Sequence, residues 1–367
     1  MRIAFITRST LHSVPGGDSV QILQTAKYLR LLEADVDIKL SNEKIEYGQY
    51  DAFHFFNLIR PADILPHLKR ISKPIFLTPI LVDYDEYDRL HRKGLSGGIL
   101  RMFSADGKEY VKAVGRGLRG QDSFPTLTYL LKGHKRSIRT ILEKVNCVLP
   151  NSEGEHRAMV GMYGVERECV VIPNGIDPSV FGKVFLTQRT AAGQAVKRVL
   201  CVARFEGLKN QLNLIKALSD TEFNLTLIGK ASPNQPGYYR ECKRIASSNV
   251  KFIDHIPQEE LVQHYLDADI HVLPSWFETC GLSSLEAAAM GCQVVITDKG
   301  YAREYFGDDA FYCEPGSPPS ILDAVRKASL NLKPSTLNSS LPARIHEHYT
   351  WPESARLTFF AYQKFLP

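Results

Sequence analysis

Short apolar runs alternate with stretches of helical spacing along most of the chain. RIAFIT (2–7) predicts a buried strand, and DVDIKL, DAFHFF, PIFLTP and NCVLP repeat that texture further on. A loop holding Pro15, Gly16 and Gly17 follows the first run. SVQILQTAKYLRLL (19–32) then has helical apolar spacing, with Asp18 or Ser19 as its expected N-cap. Strands alternating with helices predict parallel βαβ units with right-handed crossovers. Around 94–125 the periodicity gives way to glycines and basic residues, which predicts a long loop-rich insertion.

The pattern changes at VVIPNGIDPSVF (170–181), where a strand ends in the turn signal Pro173-Asn174-Gly175. Residues 182–197 are polar and featureless, as a linker would be. A second and more regular series follows. KRVLCVARF, FNLTLIGK, VKFIDHI, DIHVLP and QVVIT predict strands, and NQLNLIKAL, YYRECKRIA, EELVQHYLDA and LSSLEAAAM predict the helices between them. The closing YTWPESARLTFFAYQKFL predicts a helix with Pro352 and Glu353 in its first turn. Its Leu357, Phe360, Ala361 and Phe365 need a surface to cover them. The fold class is therefore α/β, with two series of parallel strands.

Length agrees with two series: 367 residues exceed one comfortable core and suit two α/β domains. With 44% hydrophobic and 23% charged residues, the composition excludes a disordered chain. No run reaches the roughly 20 apolar residues of a membrane-spanning helix. MRIAFITRST reads as a first strand and not as a signal peptide. The seven cysteines are scattered without metal-ligand spacing, mostly inside apolar runs, so a reduced cytoplasmic protein is expected. The net charge of +5 is concentrated. Arg89, Arg92, Lys93, Arg101, Lys108, Lys112, Arg116, Arg119, Lys132, Lys135, Arg136 and Arg139 face only Asp106, Glu109 and Asp122 in that stretch. This basic 89–139 tract is a candidate peripheral contact for an anionic membrane or an acceptor phosphate, with a solvated surface as the equal alternative.

Candidate chemistry lies in SWFETCGLSSLEAAAMG (275–291). Glu278 falls in a loop after a strand, Gly281 opens the next helix, and Glu286 sits inside that helix. Ligands of an open parallel sheet collect beyond the carboxyl ends of its strands. The backbone N–H groups of Leu282 and Ser283, at the positive end of a helix dipole, suit a diphosphate or polarised sugar hydroxyls. Carboxylates beside such a site fit hydroxyl-rich groups, because each accepts paired hydrogen bonds. VARFEGLKNQ (202–211) adds Arg204 at a strand end and Lys209 at the start of a helix. Two cations are what a departing nucleoside diphosphate needs as charge grows on it.

Arg204 and Lys209, IGK (228–230) and LDADIHVLPSWFETCGLSSLEAAAMGCQVV together resemble the C-terminal domain of the family 4 retaining glycosyltransferases. PNGID (173–177), the Gly16-Gly17 loop and the closing Tyr-Thr-Trp helix extend the likeness over nearly the whole chain. The resemblance implies a GT-B fold: two Rossmann-like domains facing across a cleft, with the C-terminal helix crossing back. Residues 1–173 with 350–367 would form the N-terminal, acceptor-side domain, and 174–349 the nucleotide-sugar-binding domain. It further implies that Glu286 holds the donor ribose and Glu278 the donor sugar. Arg204 and Lys209 would bind the diphosphate, backbone near Ile256 would face the base, and Gly17 would let its loop approach the phosphates. The donor would be UDP- or GDP-linked, with no metal or other cofactor required. The acceptor would be a saccharide or lipid-linked glycan in cell-surface polysaccharide assembly, which is analogy at family level. One departure stands out: where family members usually carry a His that steadies the transferred sugar, this chain reads Thr78-Pro79-Ile80.

Plainer readings compete. Two glutamates eight apart are weak evidence alone, and a lone Gly16-Gly17 lacks a full phosphate-binding fingerprint. Asp267-Ala268-Asp269 mimics a metal-binding pair of carboxylates, but its place before a buried strand favours a structural cap. His54, His255 and His271 read as structural histidines. Two rival functions share the architecture: a nucleotide-sugar epimerase or phosphorylase, and a non-catalytic nucleotide-sugar-binding protein. The first would show donor turnover without acceptor, the second tight donor binding without transfer.

Overall fold

The computed structural model describes residues 1–83, 87, 107, 129, 132–182, 197–331 and 340–366. The chain divides into two compact units. One comprises Met1–Leu81, Asp88–Asn174 and Trp351–Pro367, the other Val82–Tyr87 and Gly175–Thr350. The 94–125 insertion, apart from Gly107, and most of the 182–197 linker lie outside the described residues.

In the first unit β1 (Arg2–Thr7), α1 (Gly17–Leu31), β2 (Asp35–Leu40), β3 (Ala52–Phe56), α2 (Pro61–Leu68) and β4 (Ile75–Thr78) are followed by α3 (His134–Leu142), β5 (Cys147–Val148), α4 (Glu153–Tyr163) and β6 (Glu168–Cys169). The strands form one sheet in the order β2-β1-β3-β4-β5-β6, and every pairing is parallel. β3 and β4 are buried throughout, which explains why they are apolar but for His54 and Thr78. α1 starts two residues earlier than the sequence reading, with Gly16 as its N-cap in place of Asp18 or Ser19. The cause is Arg8, a buried guanidinium that draws the Asp18 carboxylate into an ion pair at 2.6 Å and so commits it elsewhere.

The second unit runs β7 (Lys197–Val202), α5 (Gln211–Leu218), β8 (Phe223–Ile228), α6 (Pro236–Ile245), β9 (Val250–Ile253), α7 (Gln258–Asp267), β10 (Ile270–Leu273), α8 (Leu282–Ala289), β11 (Gln293–Thr297), α9 (Ala302–Phe306), β12 (Phe311–Cys313), α10 (Pro318–Leu330) and α11 (Ser340–His348). Its sheet has the order β12-β11-β10-β7-β8-β9. Counted from its own first strand this is 3-2-1-4-5-6 read from the other edge, the doubly wound order of dinucleotide-binding folds. The expected α/β class with two Rossmann-like units is thus borne out.

The last helix, α12 (Trp351–Gln363), belongs to the first unit and packs along α1. Trp351, Ala355, Ala361 and Tyr362 are buried, while Leu357 and Phe365 are partly covered. Phe360 is half exposed, so the apolar stripe expected of this helix is rotated toward Tyr362. The hydroxyl of Tyr362 meets His54 Nδ1 at 2.6 Å, and Thr78 Oγ1 meets the other ring nitrogen at 2.8 Å. Burial pushes the imidazole down to about 3, so it is neutral at working pH and is a core histidine. His54→Ala would leave both hydroxyls without their partner and open a cavity. We expect a loss of about 2–4 kcal/mol in urea unfolding with nucleotide affinity unchanged.

Candidate functional site

In the second sheet the chain winds one way from β7 through β8 to β9, and the other way from β10 through β11 to β12. β7 and β10 are neighbours, paired at Ile270 with Val199 and His271 with Leu200. Their carboxyl ends flank the topological switch point, the usual crevice for a ligand in an open α/β sheet. The segment after β7 carries Arg204 and Lys209, and that after β10 carries Glu278 and Glu286.

These two segments are tied together by backbone. Trp276 N–H donates to Leu208 O at 2.9 Å. Asn210 adopts a left-handed conformation (φ 59°) and donates from Nδ2 to Pro274 O and Pro315 O at 2.9 and 2.8 Å. Asparagine tolerates that φ and supplies the amide that stitches the loops. Lys209 closes a short 3-10 turn, Gly207–Lys209, and does not open α5. Its ammonium lies on Glu278 Oε1, which also accepts from Ser275 Oγ at 2.7 Å. Burial works against the lysine charge. Glu278 outweighs it through charge and hydrogen bond, with Glu206 adding and Arg204 opposing, and the ammonium is held above its ordinary range. Arg204, a third exposed, donates to Glu206 Oε2 at 2.9 Å. Sequence reasoning missed Glu206 and Ser275: polar residues two from Arg204 and three from Glu278 gave no signal of their own.

Glu278 is nearly buried and its backbone is clamped. Its N–H donates to Lys299 O at 3.1 Å, and its carbonyl accepts from Tyr301 N–H at 2.8 Å. Between those residues Gly300 has φ +104°, and a Cβ there would stand 2.1 Å from Glu278 O. Only glycine lets the two strands of chain approach so closely. Gly281, the N-cap of α8 at φ 72°, faces Ile296 Cδ1 at 2.9 Å from a would-be Cβ. Ser284 and Leu285 N–H donate back to Gly281 O. The amides of Leu282 and Ser283, the first two of the helix, have no partner among the described residues, as the helix geometry requires.

Glu286, 9% exposed, faces α7. Gln258 Nε2 donates to Oε1 at 2.6 Å and Tyr265 Oη to Oε2 at 2.8 Å. Burial pushes this carboxyl up to about 7, against the lowering pull of the tyrosine and the glutamine. A raised folded-state value means that the stabilising contribution is complete below the usual 4.5 and is lost as pH rises through about 7.

The other expected residues are placed as follows. Ile256 is half-buried in the loop between β9 and α7, two residues before Gln258. Gly17 is the first residue of α1 in the first unit. Asp269 caps the opposite end of the sheet, accepting from Arg198 N–H at 2.8 Å and from its guanidinium, while Asp267 is exposed and accepts from Gln263. That pair is structural. His271 is enclosed and lowered to about 3 by burial, and His255 is exposed. Of the basic tract, Lys132, Lys135, Arg136 and Arg139 are described and the other eight cations are outside the described residues. At the site of the missing His, Ile80 takes φ 49°, an outlier for a β-branched side chain, and Leu81 N–H donates to the buried Glu155 at 2.5 Å. Among the described residues no helix is long and apolar enough to cross a membrane, and no cluster of metal-ligating side chains occurs.

Comparison with known structures shows the fold. Sucrose-phosphate synthase from Thermosynechococcus elongatus superposes with a TM-score of 0.71 at 17% identity, covering 99% of this chain and 98% of that one. HepE of Anabaena, solved in complex with UDP and glucose, gives 0.67 at 17% identity over 99% of each chain. The fold is GT-B. Residues 186–337 match the family model of glycosyl transferases group 1. A D-inositol 3-phosphate glycosyltransferase of Pseudarthrobacter chlorophenolicus is 28% identical over 166 residues, 42% of this chain and 40% of that relative. The chain thus spans about two fifths of that relative's length.

Proposed function

We propose that this chain is a retaining hexosyltransferase. It moves a hexose-type sugar from a UDP- or GDP-linked donor to a saccharide or lipid-linked glycan, without a metal ion, in cell-surface polysaccharide assembly. The reading is supported most by one arrangement at the switch point of the second sheet. There the Lys209–Glu278 pair, Arg204 and the amides of Leu282 and Ser283, unpartnered among the described residues, stand on adjoining segments. HepE, a neighbour in fold, was solved with UDP and with UDP-glucose, and this lends the donor class to the proposal.

In this mechanism the diphosphate rests on the α8 amides and on the Lys209 ammonium and Arg204 guanidinium. Glu286 accepts the ribose hydroxyls and Glu278 a hydroxyl of the sugar; backbone near Ile256 faces the base, and Gly17 approaches the phosphates. The bond from C1 to the diphosphate oxygen breaks while the acceptor oxygen bonds C1 on the same face. The acceptor proton passes to the departing diphosphate, so no protein base is needed. The cations act where negative charge develops, which is where they lower the barrier. The basic 89–139 tract would meet an anionic lipid surface, placing the protein at the cytoplasmic face of a membrane.

Melting temperature against a panel of nucleoside diphosphates and their sugars tests the donor. Product anomeric configuration, read by NMR, tests retention. We expect stabilisation by a UDP or GDP compound, a product with the donor's configuration, and a rate unmoved by EDTA or added Mn2+. Stabilisation by none of them, an inverted product, or a chelator-sensitive rate would refute the corresponding part.

A further inference from the structure

The two hydrogen bonds on Glu286 use one lone pair of each carboxylate oxygen. An ionised carboxylate has about four acceptor positions, so Gln258 on Oε1 and Tyr265 on Oε2 leave one on each oxygen. From this we infer that Gln258 and Tyr265 are positioning residues that fix Glu286 so that its remaining acceptor positions match the two neighbouring hydroxyls of a ribose. The inference rests on the reading of Glu286 as the ribose ligand.

Both donors are themselves held. Tyr265 is fully buried, its ring edge-on to Phe181 at 5.9 Å between centroids and tilted against His271 at 6.0 Å, and Cys292 Sγ donates to its carbonyl. Gln258 is the first residue of α7, after Pro257 as N-cap. The α7 helix thereby joins the loop of Ile256 to the carboxylate in α8. Around Glu286 the tyrosine is raised far above its usual range by burial, and His271, bonded to Ser284 Oγ at 3.2 Å, is neutral. Those groups stay uncharged near neutrality, so ionisation there belongs to Glu286. An ionised Glu286 accepts both hydroxyls; a protonated one gives up an acceptor position. Removing either positioning donor frees the carboxylate to rotate and makes ionisation harder.

The test measures Kd for UDP and GDP by calorimetry from pH 5.5 to 8.5, then repeats the tighter one with its 2′-deoxy form. Wild type, Glu286→Gln, Gln258→Leu and Tyr265→Phe are compared. The nucleotide's terminal phosphate titrates near about 6, so Glu286→Gln supplies the baseline. Wild type should prefer the ribonucleotide about tenfold and, relative to that baseline, weaken about tenfold per pH unit below its midpoint. Gln258→Leu and Tyr265→Phe should each bring the ribose preference toward one and move the midpoint upward. A merely structural role predicts equal weakening of both nucleotides, with preference and midpoint unchanged, and that result would overturn the inference. If Glu286→Gln instead binds like wild type, the reading of Glu286 itself falls. Gln258, half-buried, keeps the test open should Tyr265→Phe fail to fold.

Discussion

Lys209→Ala is expected to slow sugar transfer by about 10²–10³-fold in kcat, the loss typical of removing one group that meets developing charge. Two effects add. The departing diphosphate loses an ammonium that Glu278 holds in the charged form against the cost of burial. Glu278, 5% exposed, also loses its cation and keeps only the Ser275 hydroxyl on Oε1. Arg204 remains, so KM should change less than kcat. The pairing predicts strong non-additivity: Lys209→Ala with Glu278→Gln should cost far less than the product of the single losses, because the second change removes the stranded charge. Rapid-quench kinetics with the donor found in the panel would decide it. A kcat within threefold of wild type would remove Lys209 from the mechanism.

Gly300→Ala should be a strongly damaging single methyl in the second unit's site. A Cβ at 2.1 Å from a backbone oxygen cannot be relieved by a rotamer, and φ +104° is itself strained for alanine. We expect a loss of about 3 kcal/mol or more in unfolding free energy, with transfer falling further than stability explains because Glu278 is displaced. Gly237→Ala in α6 is the contrast. Its Cβ meets nothing within 4 Å, so a change between neutral and about 1 kcal/mol more stable is expected. Equal melting temperatures for Gly300→Ala and wild type would show that the clamp on Glu278 yields.

Much of the fold was legible because parallel strands buried on both faces must be apolar throughout. RIAFIT coincides with β1 and LSSLEAAA with α8, while the edge strand β2 keeps the alternating DVDIKL. α10 carried its own start signals, Ser317 accepting from Ser320 N–H and Pro318 in the first turn, although its periodicity was not singled out. β12 has three residues and β6 two, too few for any period to register. In the site the four charged residues stood out by type. Their partners did not: Ser275, Glu206, Gln258 and Tyr265 matter through where loops and α7 bring them, and spacing along the chain says nothing of that. Gly300 was invisible for a related reason, since its constraint comes from Glu278, twenty-two positions earlier in the chain. Asp18 failed as a cap because Arg8, ten residues away, claimed it.

The pairing of Arg204 with Glu206 and of Lys209 with Glu278 makes these four side chains electrically neutral as a set. A balanced set projects little field into solvent, so loose polyanions and stray inorganic ions gain little by approaching it. Discrimination then falls to short-range fit, with a correctly shaped pyrophosphate inserting between partners that already compensate one another. The same balance lets the spent nucleotide depart without abandoning two bare cations in a half-dry crevice.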